Sequence, residues 1–134
     1  MKITFTLACV LLLFVANKSF GQQTFEMKEG DTTYVMQQYF MCFLYRGDAS
    51  GYDSLQLAEL QTQHLAHLNQ LAEDNKISIA GPFGDDADLR GIVVYHVATL
   101  EEAKQLEAED PAVKAGVLRA EVRPWWAAKG SVLK

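Results

Sequence analysis

Apolar residues fill the run from Ile3 to Ala16 without a charge, give way to a polar stretch over residues 22–33, and return in "YVMQQYFMCFLYRG". Between Tyr39 and Tyr45 both alternating sets are apolar, the pattern of a strand buried on both faces in the middle of a sheet. "GDASGYDS" then supplies turn residues, and Asp53 or Ser54 can cap the next element. From about Leu55 to Asp74 the period becomes helical. With Leu57 as origin and 100° per residue, Leu60, His64, Leu68 and Leu71 fall within about 60° of it. Glu59, Thr62, Ala66, Asn69, Gln70 and Glu73 fall on the far side. His64 therefore stands near the centre of the buried stripe, and His67 at its margin.

"KISIAGPF" reads as a short strand that ends at Gly81-Pro82, since proline cannot donate to a continuing ladder. "GDDAD" is a polar loop and "LRGIVVYHV" a second strand, so the two form a hairpin. "TLEE" has the capping-box pattern, with Thr99 at the cap and Glu102 three residues on, and opens a helix that lasts to about Glu109. "DPAVKAG" predicts one more short turn of helix, with Asp110 as cap, Pro111 in the first position and Gly116 as the stop. "VLRAEVRPWW" alternates as a last strand with one wet face. The order β-α-β-β-α-β predicts an α+β, ferredoxin-like subunit, an antiparallel sheet with two helices on one face. The other sheet face is then bare, and its apolar residues call for a cover, most simply a second copy of the chain as a homodimer.

The opening segment changes the compartment. Lys2, the apolar run and the small residues Ser19 and Gly21 have the grammar of a secretory signal peptide over residues 1–21, and the run is shorter than the roughly 20 apolar residues of a membrane span. A periplasmic or secreted protein is expected, with no membrane attachment after cleavage. Residues 22–33 are expected as a flexible arm, and residues 34–130 as the domain. Lys2 and Lys18 lie in the segment removed while all 17 acidic residues lie after it, which takes the net charge from −5 to −7. Such a balance argues against nucleic acid as a partner, because phosphate backbones need a basic face. Cys42 would be the one cysteine left, so no intrachain disulfide is available.

Few residues then carry candidate chemistry. His64, inside an apolar stripe, needs a partner for a ring nitrogen, since an unpaired buried polar group costs about 1–3 kcal/mol. A backbone carbonyl would make it a core histidine. A carboxylate would orient the ring and tune the imidazole towards proton exchange near neutral pH, as a general acid or base requires. Asp110 is the candidate carboxylate and also the expected N-cap; one oxygen can serve each role. "GDDAD" invites calcium, but aligning Asp86 and Asp88 with the first and third loop positions puts Arg90 at the fifth and leaves the twelfth without glutamate. His64, His67 and His96 lack zinc spacing. No metal site is expected. Trp125-Trp126 can stack a ligand or close a sheet edge or dimer contact, and Arg46 and Arg90 can bind a carboxylate or simply lie on the surface.

"HLAHLNQLAED" followed by "AGPF", "LRGIVVYHV", "LEEAKQLEAEDPAVKAG" and "VRPWW" resembles the YCII-related proteins over roughly residues 34–130. The histidine before Leu65, the Ala80-Gly81-Pro82 step, the Asp110-Pro111 pair and Ala115-Gly116 carry the likeness. The resemblance implies a ferredoxin-like subunit pairing into a dimeric α/β barrel, with a histidine and aspartate dyad that falls on His64 and Asp110. One branch of the family looks like a dehydrochlorinase of a chlorinated hydroxyquinol. The resulting expectation is proton transfer on a small cyclic or aromatic molecule, His64 and Asp110 being catalytic and no cofactor being implied. Arg90 would hold an anionic group of the substrate in a pocket between helices and sheet, lined partly by Tyr45, Phe83 and Trp125. The other readings are a non-catalytic binder of a small ligand and a barrel in which the dyad holds the fold.

Overall fold

The computed structural model describes residues 21–134; the expected signal peptide lies outside the described residues apart from its last position. The elements run β1 (Thr24–Glu29), β2 (Thr32–Arg46), α1 (Ser54–Glu73), β3 (Ile77–Pro82), β4 (Leu89–Tyr95), α2 (Leu100–Ala108), α3 (Pro111–Lys114) and β5 (Leu118–Ala128). All strand pairings are antiparallel: β2 is flanked by β5 along Met36 to Arg46 and by β4 along Phe40 to Tyr45, and β3 closes the sheet beyond β4. The spatial order β5-β2-β4-β3, with a helical crossover after β2 and another after β4, is the ferredoxin-like arrangement that the sequence predicts.

Residues 22–33 depart from the expected arm. They hold β1 and the first two residues of β2, and β1 pairs with Thr32 to Gln37 through a two-residue turn in which Gly30 takes φ +58°, a conformation glycine adopts at no steric cost. Gln22 adds to the tie by accepting a 2.7 Å hydrogen bond from the Gln37 amide. The physical signal is the alternation in "TFEMKE", which puts Phe25 and Met27 on one face of the strand. Phe25 meets the edge of Trp126 at 4.9 Å between ring centroids.

Alternation along β2 sorts the two sheet faces. Phe40, Cys42 and Leu44 are buried and pair with Tyr95, Val93 and Gly91 of β4; Leu71 of α1 and Ala103 of α2 pack onto the same cluster, which forms the core. Tyr39, Met41, Phe43 and Tyr45 point to the opposite face and stay half-buried in the single chain. Asp53 caps α1 reciprocally with Gln56, each side chain accepting from the other's backbone N–H at 2.9 Å. Thr99 caps α2 in the expected way, its hydroxyl accepting from Glu102 N–H at 3.1 Å. Past the end of β2, Gly47 donates its N–H to Val117 at 2.8 Å, and a Cβ built there would lie 1.9 Å from the Gly116 carbonyl oxygen. Glycine is required by that approach of two backbones.

Candidate active site

The centre of the α1 stripe and the N-cap of α3 meet beneath the sheet. His64 is 7% exposed and Asp110 1%, and His64 Nδ1 lies 2.5 Å from Asp110 Oδ2. The other carboxylate oxygen, Oδ1, accepts from Ala112 N–H at 2.8 Å. Capping and holding the imidazole are thus shared between the two oxygens of one side chain. Pro111 in the first helical position gives up no needed donor and sets the turn that aims Asp110 at α1. The backbone-carbonyl partner considered for His64 belongs to His67 instead, whose Nε2 lies 3.1 Å from Leu106 O.

With Nδ1 engaged, Nε2 is the ring atom left for chemistry, and His64 forms part of the wall of a cavity of about 530 Å³ between α1 and strands β2, β4 and β3. That volume lies in the ordinary range of small-molecule sites. Leu65, Leu68, Ile77, Ile79 and Val93 make most of the wall apolar, while Gln61, His64, Asn69, Ser78 and Arg90 are its polar members. The cavity can take a small ring with one or two polar substituents directed at the imidazole.

Of the four residues expected to line the pocket around the dyad, the structure brings Arg90 to it and places the other three elsewhere. Arg90 Nη1 donates to Asp86 Oδ1 at 2.9 Å and to Ala87 O at 3.1 Å, so its guanidinium is held at the cavity's rim. Asp86 also accepts from Arg46 at 2.9 Å. The Arg46 guanidinium, and then that of Arg90, hold the Asp86 carboxyl below the usual range for an aspartate. Tyr45 and Trp125 occupy odd positions of the β2 ladder, or pair with them, and so point away from α1. Tyr45 lies under the Arg119 guanidinium at 4.4 Å, and Trp125 beside Tyr39 at 6.3 Å. Phe83 comes directly after the last residue of β3 and is 44% exposed, outside the cavity wall. His96 stacks on Tyr39 at 5.8 Å, far in register from the dyad. Among the described residues no three acidic, histidine or cysteine side chains gather as a metal site would require.

A second polar feature lies outside the expectations from sequence. Tyr95, fully buried on β4, donates its hydroxyl to Glu107 Oε2 at 2.5 Å, and Glu107 is itself 2% exposed. Burial, the largest cause, pushes both the Tyr95 hydroxyl and the Cys42 thiol far above their ordinary ranges, so both stay protonated. The signal for Glu107 is its spacing: it lies four residues after Ala103, which puts it on the buried face of α2.

The family model of the YCII-related domain matches residues 38–126. Among solved structures, the chain is similar to a 5-chloro-2-hydroxyhydroquinone dehydrochlorinase from Burkholderia phenoliruptrix AC1100 in complex with 2,5-dihydroxybenzoquinone. The two share 30% identity over 63% of this chain and 92% of that one, with a TM-score of 0.45. No curated protein matches the chain.

Proposed function

The chain belongs to the YCII-related domain family, and from that premise we propose that it is an enzyme of proton transfer, lyase-like or isomerase-like, on a small cyclic or aromatic compound. The observation that carries this reading is the buried 2.5 Å contact of His64 Nδ1 with Asp110, set in the wall of a largely apolar cavity. Asp110 fixes the tautomer that leaves Nε2 free as a base and stabilises the imidazolium once the proton has moved. The substrate gives a proton to Nε2; the electron pair left behind forms a new double bond, either expelling an anionic leaving group or displacing a π pair onto another atom, which takes the proton back from the imidazolium. Arg90 binds an anionic substituent by exchanging Asp86 for it. Residues 1–21 direct the protein to the periplasm or beyond, as the sequence grammar of that segment supports.

Two copies pair through the sheet face that no helix covers. Tyr39, Met41, Phe43 and Tyr45 of β2, with Ile92 opposite Phe43 on β4, support this by leaving an apolar surface half exposed.

The test is His64→Gln in the mature chain, screened by NMR against a panel of small phenols, quinones and cyclic acids. Turnover of a ligand by the parent protein, lost in the variant while binding persists, is the expected result. Loss of affinity with no turnover in either protein would make the site a binding module. Loss of stability alone would make the dyad a structural tie.

A further inference from the structure

Behind the dyad the described interior holds a second carboxyl. Glu107 is 2% exposed; its Oε2 accepts from Tyr95 at 2.5 Å, and its Oε1 is buried with no hydrogen-bond partner. The groups that face this carboxyl are Tyr95 from β4, Cys42 from β2, Asp110 from the start of α3 and His64 from α1. Neither lysine nor arginine is among them. Two carboxyls thus share one imidazole, and the imidazole is already committed to Asp110. If both ionised, one buried anion would be left without a counter-charge.

We infer that Glu107 is carried as the neutral acid and is a positioning residue for the His64–Asp110 pair, an inference that rests on the proton-transfer reading of that pair. The geometry has two consequences. Asp110 is the one anion beside the imidazole, so the dyad's charge is a single pair. The Tyr95–Glu107 hydrogen bond also pins the last turn of α2 to the sheet, three residues before Asp110 leaves that turn and donates its N–H to the Glu107 carbonyl at 3.1 Å. Burial is the largest influence on Glu107 and raises its carboxyl above the usual glutamate range. The Tyr95 hydroxyl and the Cys42 thiol oppose this, and the Asp110 charge adds to it.

The experiment uses the full mature chain and no substrate, so failure to find turnover, which would end the proton-transfer reading, leaves it readable. The Glu107 carboxyl carbon, observed by 13C NMR at neutral pH, is expected at the position of a protonated acid; an ionised position overturns the inference. Glu107→Gln, isosteric and neutral, is expected to keep the downfield Nδ1 proton of His64 and the parent's imidazole titration curve. A curve displaced by the loss of an anion overturns it too. Glu107→Ala, or Tyr95→Phe should the alanine variant not fold, is expected to broaden or erase the Nδ1 proton signal while circular dichroism stays native. An unaltered signal in the folded variant would reduce Glu107 to filler.

Discussion

His64 on α1 and Asp110 at the N-cap of α3 are 46 residues apart in sequence and meet at 2.5 Å, with both side chains buried. A contact of that separation requires the whole crossover, because α1 precedes β3 and α3 comes after α2. The sheet order therefore decides whether the pair exists.

That dependence separates two variants of Asp110. Asp110→Ala removes both an N-cap, worth about 0.5–2 kcal/mol, and the partner of a buried ring nitrogen, whose loss costs about 1–3 kcal/mol. Asp110→Asn keeps an effective cap and should lose less stability, yet should abolish the proposed proton transfer as fully, since the amide cannot stabilise the imidazolium. Urea unfolding of both variants beside His64→Ala and the double variant checks this. The coupling energy between the two sites is expected at about 1–3 kcal/mol; additive losses would mean that they do not interact.

How much of this can be read in the sequence depends on the range of the signal. Leu57, Leu60, His64, Leu68 and Leu71 repeat at helical spacing, and that periodicity puts His64 inward without any tertiary knowledge. The cap role of Asp110 is equally local. Their meeting is not local, and only the family resemblance implies it. Tyr45 and Trp125 lie away from their expected place for a related reason: when a strand is apolar on both faces, alternation says which residues travel together and not which set faces the helices. Glu107 escapes notice when α2 is read for its caps and not for the face it buries.

Glu107 gives a pH dependence whose sign can be worked out. Its carboxyl is raised in the folded protein by burial, so the folded state holds that proton more tightly than the unfolded chain. This contribution to stability is fully present below the ordinary glutamate range and is lost as pH rises from there through the folded value. Glu107→Gln cannot lose it. The stability of the Gln variant relative to the parent should therefore improve from acid to neutral pH, as measured by denaturant midpoints at a series of pH values. A constant difference would show that the two states bind the proton equally.

Gly47 tests the fold independently of the site. A Cβ there would sit 1.9 Å from the Gly116 carbonyl oxygen, and backbone on both sides must move to admit it. Gly47→Ala should cost about 2–4 kcal/mol, as overpacking against main chain does. Gly81→Ala is the control, since nothing lies within 4 Å of a Cβ at that position. Thermal melts of the two variants should differ by several degrees.

The open sheet face makes the remaining prediction. Phe43 stands in the middle of β2 on the face away from the helices, opposite Ile92 on β4 and Glu121 on β5. Its neighbours on that face, Met41 and Tyr45, are half-buried like itself, so the surface is apolar at its centre and bordered by the Arg119 and Arg123 side chains of β5. If a second copy covers this face, Phe43→Asp places a charge in an apolar contact, where burial without a partner is costly. Sedimentation equilibrium should then report a dimer for the parent and a monomer for the variant. The His64–Asp110 contact should survive in that monomer, because every element that forms it comes from one chain. A parent that sediments as a monomer at high micromolar concentration would exclude the pairing, and the aromatic residues of β2 would then need another partner.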